Sequence, residues 1–209
     1  MARPRRATCP AAAGLAVAAA LLAAAPARAE LLYEFTFHAT VTQKWGDNPD
    51  HPWGGVEIGD PASFKYVIDV EQEDQSPSPS IGRYDVAWAE VSYGGIAVVP
   101  SFVDRMEVRT ATPIGSHEVT IPTRQLWTDD FNEVAIFRLS GFDVLEDDSI
   151  PIDFPLTGFG IERSIEYSDE TIAFRAQFHS YEYQIVPAPG AAIVIALGVM
   201  FRGGRRRRR

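Results

Sequence analysis

The sequence predicts an all-β protein: a single antiparallel β-sandwich, jelly-roll-like, flanked by an N-terminal signal helix and a short C-terminal transmembrane helix. Three observations predict the sandwich. Apolar and polar residues alternate with period two along several segments between residues 30 and 186, the pattern of strands with one face buried and one wet. No segment of that region shows sustained helical spacing with caps. Glycine, proline, serine and aspartate clusters separate the alternating runs at short intervals, which favours an antiparallel sandwich or jelly roll over a helix-connected sheet.

The chain has 209 residues and a formal net charge of −9, but the charges are not mixed. Arg3, Arg5, Arg6 and Arg28 are the only charged residues of 1–29. Residues 187–209 hold six arginines and no acid, so all 28 acids lie in 30–186, against nine Lys plus Arg. The middle segment therefore carries −19, which excludes nucleic acid as the default partner. Three domains follow: 1–29, 30–186 and 187–209.

The first segment reads as a secretory signal peptide. A positive n-region precedes an apolar run over 11–25 that is short for a membrane span, and Ala27-Arg28-Ala29 is the small-x-small pattern before cleavage. Cleavage after Ala29 by signal peptidase, following passage through the Sec machinery, makes Glu30 the mature N-terminus. The one cysteine, Cys9, precedes the apolar run. The body thus has no disulfide, no thiolate nucleophile and no cysteine metal ligand.

In the body, Tyr33, Phe35, Phe37, Ala39 and Val41 alternate with polar residues in the first strand. Phe64, Tyr66, Ile68 and Val70 do so in the second, and Ile172, Phe174, Ala176 and Phe178 in the last, which continues to residue 185. Further strands are expected over 83–93, 95–102, 105–112, 118–127, 133–141 and 158–167. The acidic, then Ser/Pro-alternating stretch 71–80 reads as a mobile loop. With no disulfides, aromatic residues must supply much of the core, and Trp88, inside a strand, is expected there.

The C-terminus reads Val186-Pro187-Ala188-Pro189-Gly190, an apolar run over 191–201, then Arg202 and Arg205, Arg206, Arg207, Arg208 and Arg209. As a helix the run spans about 16 Å, roughly half a hydrocarbon core, with snorkelling arginines making up part of the difference. The arginines belong on the cytoplasmic side, which leaves the acidic body outside.

This order resembles the PEP-CTERM sorting signal of exported bacterial proteins: a Val-Pro-Glu-Pro-like tetrapeptide, a short apolar helix and an Arg-rich end. Ala188 stands where that family most often has Glu, so the chain matches a Val-Pro-Ala-Pro-Gly variant. Residues 33–95 are also similar to a segment common in such proteins, with Ile58-Gly59-Asp60 leading into an aromatic strand and Gly82-Arg83-Tyr84 opening another. The resemblance implies processing at Val186–Gly190 by exosortase, a membrane-embedded protease. It also implies membrane tethering before processing, then a cell-surface or extracellular place in a Gram-negative bacterium. It associates such proteins with exopolysaccharide and biofilm, and brings no established activity.

The body shows no catalytic motif. His38, His51, His117 and His179 lack a second His at ligand spacing, and H-E-x-x-H, G-x-S-x-G and P-loop patterns are absent. His38 and His179 fall on the wet faces of their strands. The chain is therefore read as a non-enzyme without a cofactor. The alternative is a carbohydrate- or calcium-binding module on a plain membrane anchor. For calcium the best residues are Asp143, Glu146, Asp147, Asp148 and Asp153, hard oxygen donors on one loop-like stretch. A solvated acidic loop is the simpler reading of them. For a glycan the candidates are Trp45 and Trp53, which bracket a polar loop and offer rings for stacking on sugars. Their simpler reading is packing over a core edge.

Overall fold

The computed structural model describes residues 31–110, 115–124, 126–127 and 133–187. The predicted signal helix and transmembrane helix lie outside the described residues. Within them all regular structure is strand: β1 (Leu31–Gly46), β2 (Pro61–Asp69), β3 (Ile81–Tyr84), β4 (Val86–Tyr93), β5 (Ile96–Val98), β6 (Phe102–Val103), β7 (Met106–Arg109), β8 (His117–Arg124), β9 (Val134–Gly141), β10 (Glu162–Ser168) and β11 (Ile172–Pro187).

These strands form one antiparallel sheet in the order β3-β7-β8-β9-β10-β11-β1-β2-β4-β5, with β6 on β8. The prediction of an all-β antiparallel body holds. The two separate sheets of a sandwich do not appear as such, because the hydrogen-bonded path is continuous. That path must curl. β3 and β4 are separated in sequence by Asp85 alone, yet β3 pairs with β7 at one end of the order and β4 with β2 near the other. β2 and β9 are four strand steps apart, about 19 Å in a flat sheet. Their Phe64 and Phe137 rings are nevertheless 5.2 Å apart. Likewise β4 meets β10, where the Tyr93 hydroxyl donates to the Ile165 carbonyl at 3.1 Å. With no helix to cover it, the apolar face of the sheet is buried against itself.

The expected inward residues form that face: Phe35, Phe37, Phe64, Tyr66, Phe174 and Phe178 are all buried. Phe37 lies at the centre, 4.7 Å from Phe137 edge-on and 5.3 Å from Phe178. The outer face carries charge instead. Arg138 on β9 lies between Glu118 on β8 and Glu162 on β10, and Arg175 on β11 meets Glu162 and Glu166. This ladder ties four neighbouring strands by cross-strand pairs of opposite charge.

Two β-bulges change which face the ends of the long strands present. The β1–β11 register slips between Val41 and Gln43, inserting Thr42, and between Ser180 and Phe178, inserting His179. One extra residue swaps faces. After the first bulge Lys44 turns inward and Trp45 outward. After the second, Tyr181 and Tyr183 join Phe178 on the inner face, and Tyr181 stacks 5.3 Å from Phe37.

Four expectations need correcting. The predicted strand 83–93 is two strands broken at Asp85, which is held by the side chains of Gln72, Gln75 and Arg105. The Gln75 hydrogen bond, then Arg105, holds its carboxyl below the usual range. Trp88 is half-buried on the outer face while Ala89 fills the core position. The predicted strand 158–167 starts only at Glu162, because Gly158 and Gly160 close tight turns onto Pro155 and Gly158. The stretch 71–80 is fastened as well: the Asp74 carboxylate accepts the amides of Ser76 at 2.7 Å and Arg83 at 2.8 Å.

The core generates two predictions. Phe37→Ala should cost about 3–5 kcal/mol in denaturant unfolding, from lost burial and the cavity left among rings. Tyr66 is wholly buried and its hydroxyl has no hydrogen-bond partner; burial, then Tyr181, pushes its pKa up. A lone buried donor costs about 1–3 kcal/mol. Tyr66→Phe should therefore raise stability by a similar amount, and a loss would show that the hydroxyl has a partner.

Candidate functional site

The residues expected to bind sugar separate. The first bulge places Trp45 on the outer face with 52% of its surface exposed. Trp53 is wholly buried: its indole Nε1 donates to the Ile96 carbonyl at 2.9 Å, and Tyr93, Trp127 and Tyr167 meet it edge-on. Trp53 has no ring face free for a sugar, so the predicted pair is not a platform. A polar groove of about 330 Å³ on the outer face of β1, β11 and β10 is lined by Gln43, Glu162, Arg175 and Gln177 among others, and Trp45 is not part of its lining.

The expected calcium ligands do not converge. Asp143, Glu146 and Asp153 point into solvent, with Asp143 in the left-handed backbone region at φ 52°. Asp147 accepts the Ser149 amide at 2.9 Å and the Ser149 hydroxyl, and these two bonds hold its carboxyl below its ordinary range. Asp148 uses its backbone carbonyl to accept the Tyr84 hydroxyl at 2.8 Å. Among the described residues no three His, Cys, Asp or Glu gather as a metal site.

The densest polar cluster is one the sequence did not single out. It joins His51 of the β1–β2 loop, Glu133 ahead of β9, Tyr167 of β10 and Asp169 of the β10–β11 turn. The approach begins at Gly46, whose φ is +73°; a Cβ there would sit 2.1 Å from the Thr171 carbonyl oxygen. That proximity lets Asn48 donate to the Thr171 hydroxyl at 3.0 Å. His51 Nδ1 accepts the Trp53 amide at 3.0 Å, so Nε2 carries the ring hydrogen and faces the Tyr167 hydroxyl at 2.9 Å. The Tyr167 hydroxyl lies 3.2 Å from Glu133 and 3.1 Å from Asp169. Glu133 also accepts the Trp127 amide at 2.8 Å.

The electrostatics make this cluster a clamp. Burial, then the Glu133 and Asp169 charges, drives the Tyr167 pKa far up, so it stays a phenol and a donor. Burial acts to raise Asp169, but the Ile172 and Thr171 amides, the Thr171 hydroxyl and Tyr167 outweigh it and leave its carboxyl lowered. A phenol held protonated and a carboxylate held ionised are poised for hydrogen bonding, the reverse of what proton transfer near neutral pH needs. The cluster pins the Trp53 loop over the end of the aromatic core. Its only local signal was Tyr167 two residues before Asp169; the other partners come from distant segments.

At the other end of β1, Val186 and Pro187 close β11, paired with Leu32 and Leu31. Ala27, Ala29, Glu30, Ala188, Pro189, Gly190 and the arginines Arg202 and Arg205 to Arg209 lie outside the described residues. No protein-family model, no curated protein and no solved structure matches the chain.

The clamp predicts an acid dependence. A carboxyl lowered in the folded state contributes stability above its unfolded pKa of about 3.9, and that contribution is lost as pH falls through the folded value. Asp169→Ala should cost about 1–3 kcal/mol at neutral pH. It should also flatten the fall in stability below about pH 4 in urea titrations; an unchanged acid limb would remove the role given to Asp169.

Proposed function

We propose that the chain is an exported, non-enzymatic β protein, tethered to the membrane by its C-terminal segment and then processed there by an exosortase-type protease. The observation that carries this reading is the order of segments: a positive, apolar, small-x-small leader, a cysteine-free body at −19, and Val186-Pro187-Ala188-Pro189-Gly190 before an apolar run and six arginines. Its place is the cell surface or matrix of a Gram-negative bacterium, in company with exopolysaccharide. The register of β1 and β11 supports it, since the described body begins and ends side by side, Leu31 opposite Pro187. The clamp's protonation states agree with a body that performs no chemistry. The body itself is a jelly-roll-like sandwich whose two layers are the facing halves of the rolled sheet. The second reading, a glycan-binding module on a plain anchor, is favoured by the exposed ring of Trp45.

Expression of the tagged full chain tests the proposal. The mature protein should begin at Glu30, and in a host with exosortase it should lose its C-terminal segment. Pro187→Ala with Pro189→Ala should block that loss. A chain starting at Met1 contradicts the export reading. Equal mature masses with and without exosortase favour the plain anchor, and glycan binding abolished by Trp45→Ala would then support the module.

A further inference from the structure

The β1–β11 ribbon outruns its core. On the inner face Phe35 is buried beneath Phe154 and Tyr66. The next residues on that face are Tyr33, Tyr183 and Ile185. Tyr33 lies opposite Ile185 and Phe35 opposite Tyr183. The Tyr33 and Tyr183 rings are 5.9 Å apart, yet Tyr183 is 47% exposed and Ile185 56%. The second bulge creates this surface, because with His179 as an ordinary paired residue the alternation from Phe178 would turn both residues to the outer face. Among the described residues this face carries no charged side chain. The nearby acids are on the opposite side, Glu34 with Gln184 and Lys65, and Glu182 with His38.

We infer that this ribbon tip seats in the headgroup region of the bilayer that holds the chain. The inference rests on the tethered reading above. Its occupant follows from where the folded strand ends. From Pro187 to Ala191 the chain reaches at most about 14 Å, so the tip is held close to the apolar run. That run is about 14 Å short of a hydrocarbon core of about 30 Å. With the arginines held at the cytoplasmic face, the deficit draws the uncharged 186–190 segment and the tip toward the lipid. Tyrosines suit that depth, apolar in the ring and polar at the hydroxyl. The occupant is therefore the outer leaflet of the anchoring membrane, entered to about 5–10 Å as by an interfacial helix.

The single cysteine makes the test clean. The full chain carrying Cys9→Ser and Ile185→Cys is spin-labelled and reconstituted in phosphatidylcholine vesicles, with Ile58→Cys as the control. Ile58 is 65% exposed in the β1–β2 loop, far from the tip. Collision with oxygen should rise at position 185, and collision with a water-soluble nickel chelate should be lost there, relative to position 58. If the chain floats with vesicles but 185 stays as open to nickel as 58, the tip inference fails and the tether stands. If the chain does not float, both fail. Dipolar broadening between labels at 185, removed by dilution with unlabelled chain, would show a second copy on the face and overturn the lipid assignment.

Discussion

The packing of Phe137 against Phe37 and Phe64 is the contact on which the rest of the structure depends. The described body has no helix and its sequence no cysteine, so neither a second layer nor a disulfide covers the apolar face of the sheet. A sheet of this width has to bury that face against itself. β9 rests across β1 and β2, and the rings that meet there, Phe37, Phe64 and Phe137, are wholly buried. The Tyr93 contact with β10 follows from this curl, while the outer ion-pair ladder joins neighbouring strands β8 to β11.

Charge is handled by location. Among the described residues, seven Lys and Arg side chains of the body face carboxylates. Exposed pairs of this kind stabilise little individually, but they compensate acids along the strands where repulsion would be greatest. The uncompensated acids concentrate in loops such as 143–153. The excess repels anionic surfaces, while the ribbon tip proposed to meet the bilayer carries no charged side chain among the described residues.

Much of the fold was legible because period two reports which face of a strand is buried. Phe35, Phe37, Phe64, Phe174 and Phe178 were read correctly on that basis. Period two does not report which strands pair, so the continuous path and the break at Asp85 were hidden. Bulges were hidden too, because one inserted residue leaves local composition unchanged while reversing every side chain beyond it. Trp45 illustrates the consequence: at the end of β1 it is turned outward by the bulge at Thr42, whereas Trp53 in the following loop is buried by its own contacts. The clamp was illegible for another reason. His51, Glu133 and Tyr167 are far apart in sequence, and only Gly46 and the Asp169 turn bring them together.

A single sheet closes on itself through this aromatic contact. Proton NMR of the body with labelled phenylalanines tests it most directly. Ring-to-ring NOEs between Phe64 and Phe137, and between Phe37 and Phe137, are the predicted result. An open sheet would hold β2 and β9 about 19 Å apart. Absence of both cross-peaks in a folded sample would contradict the account.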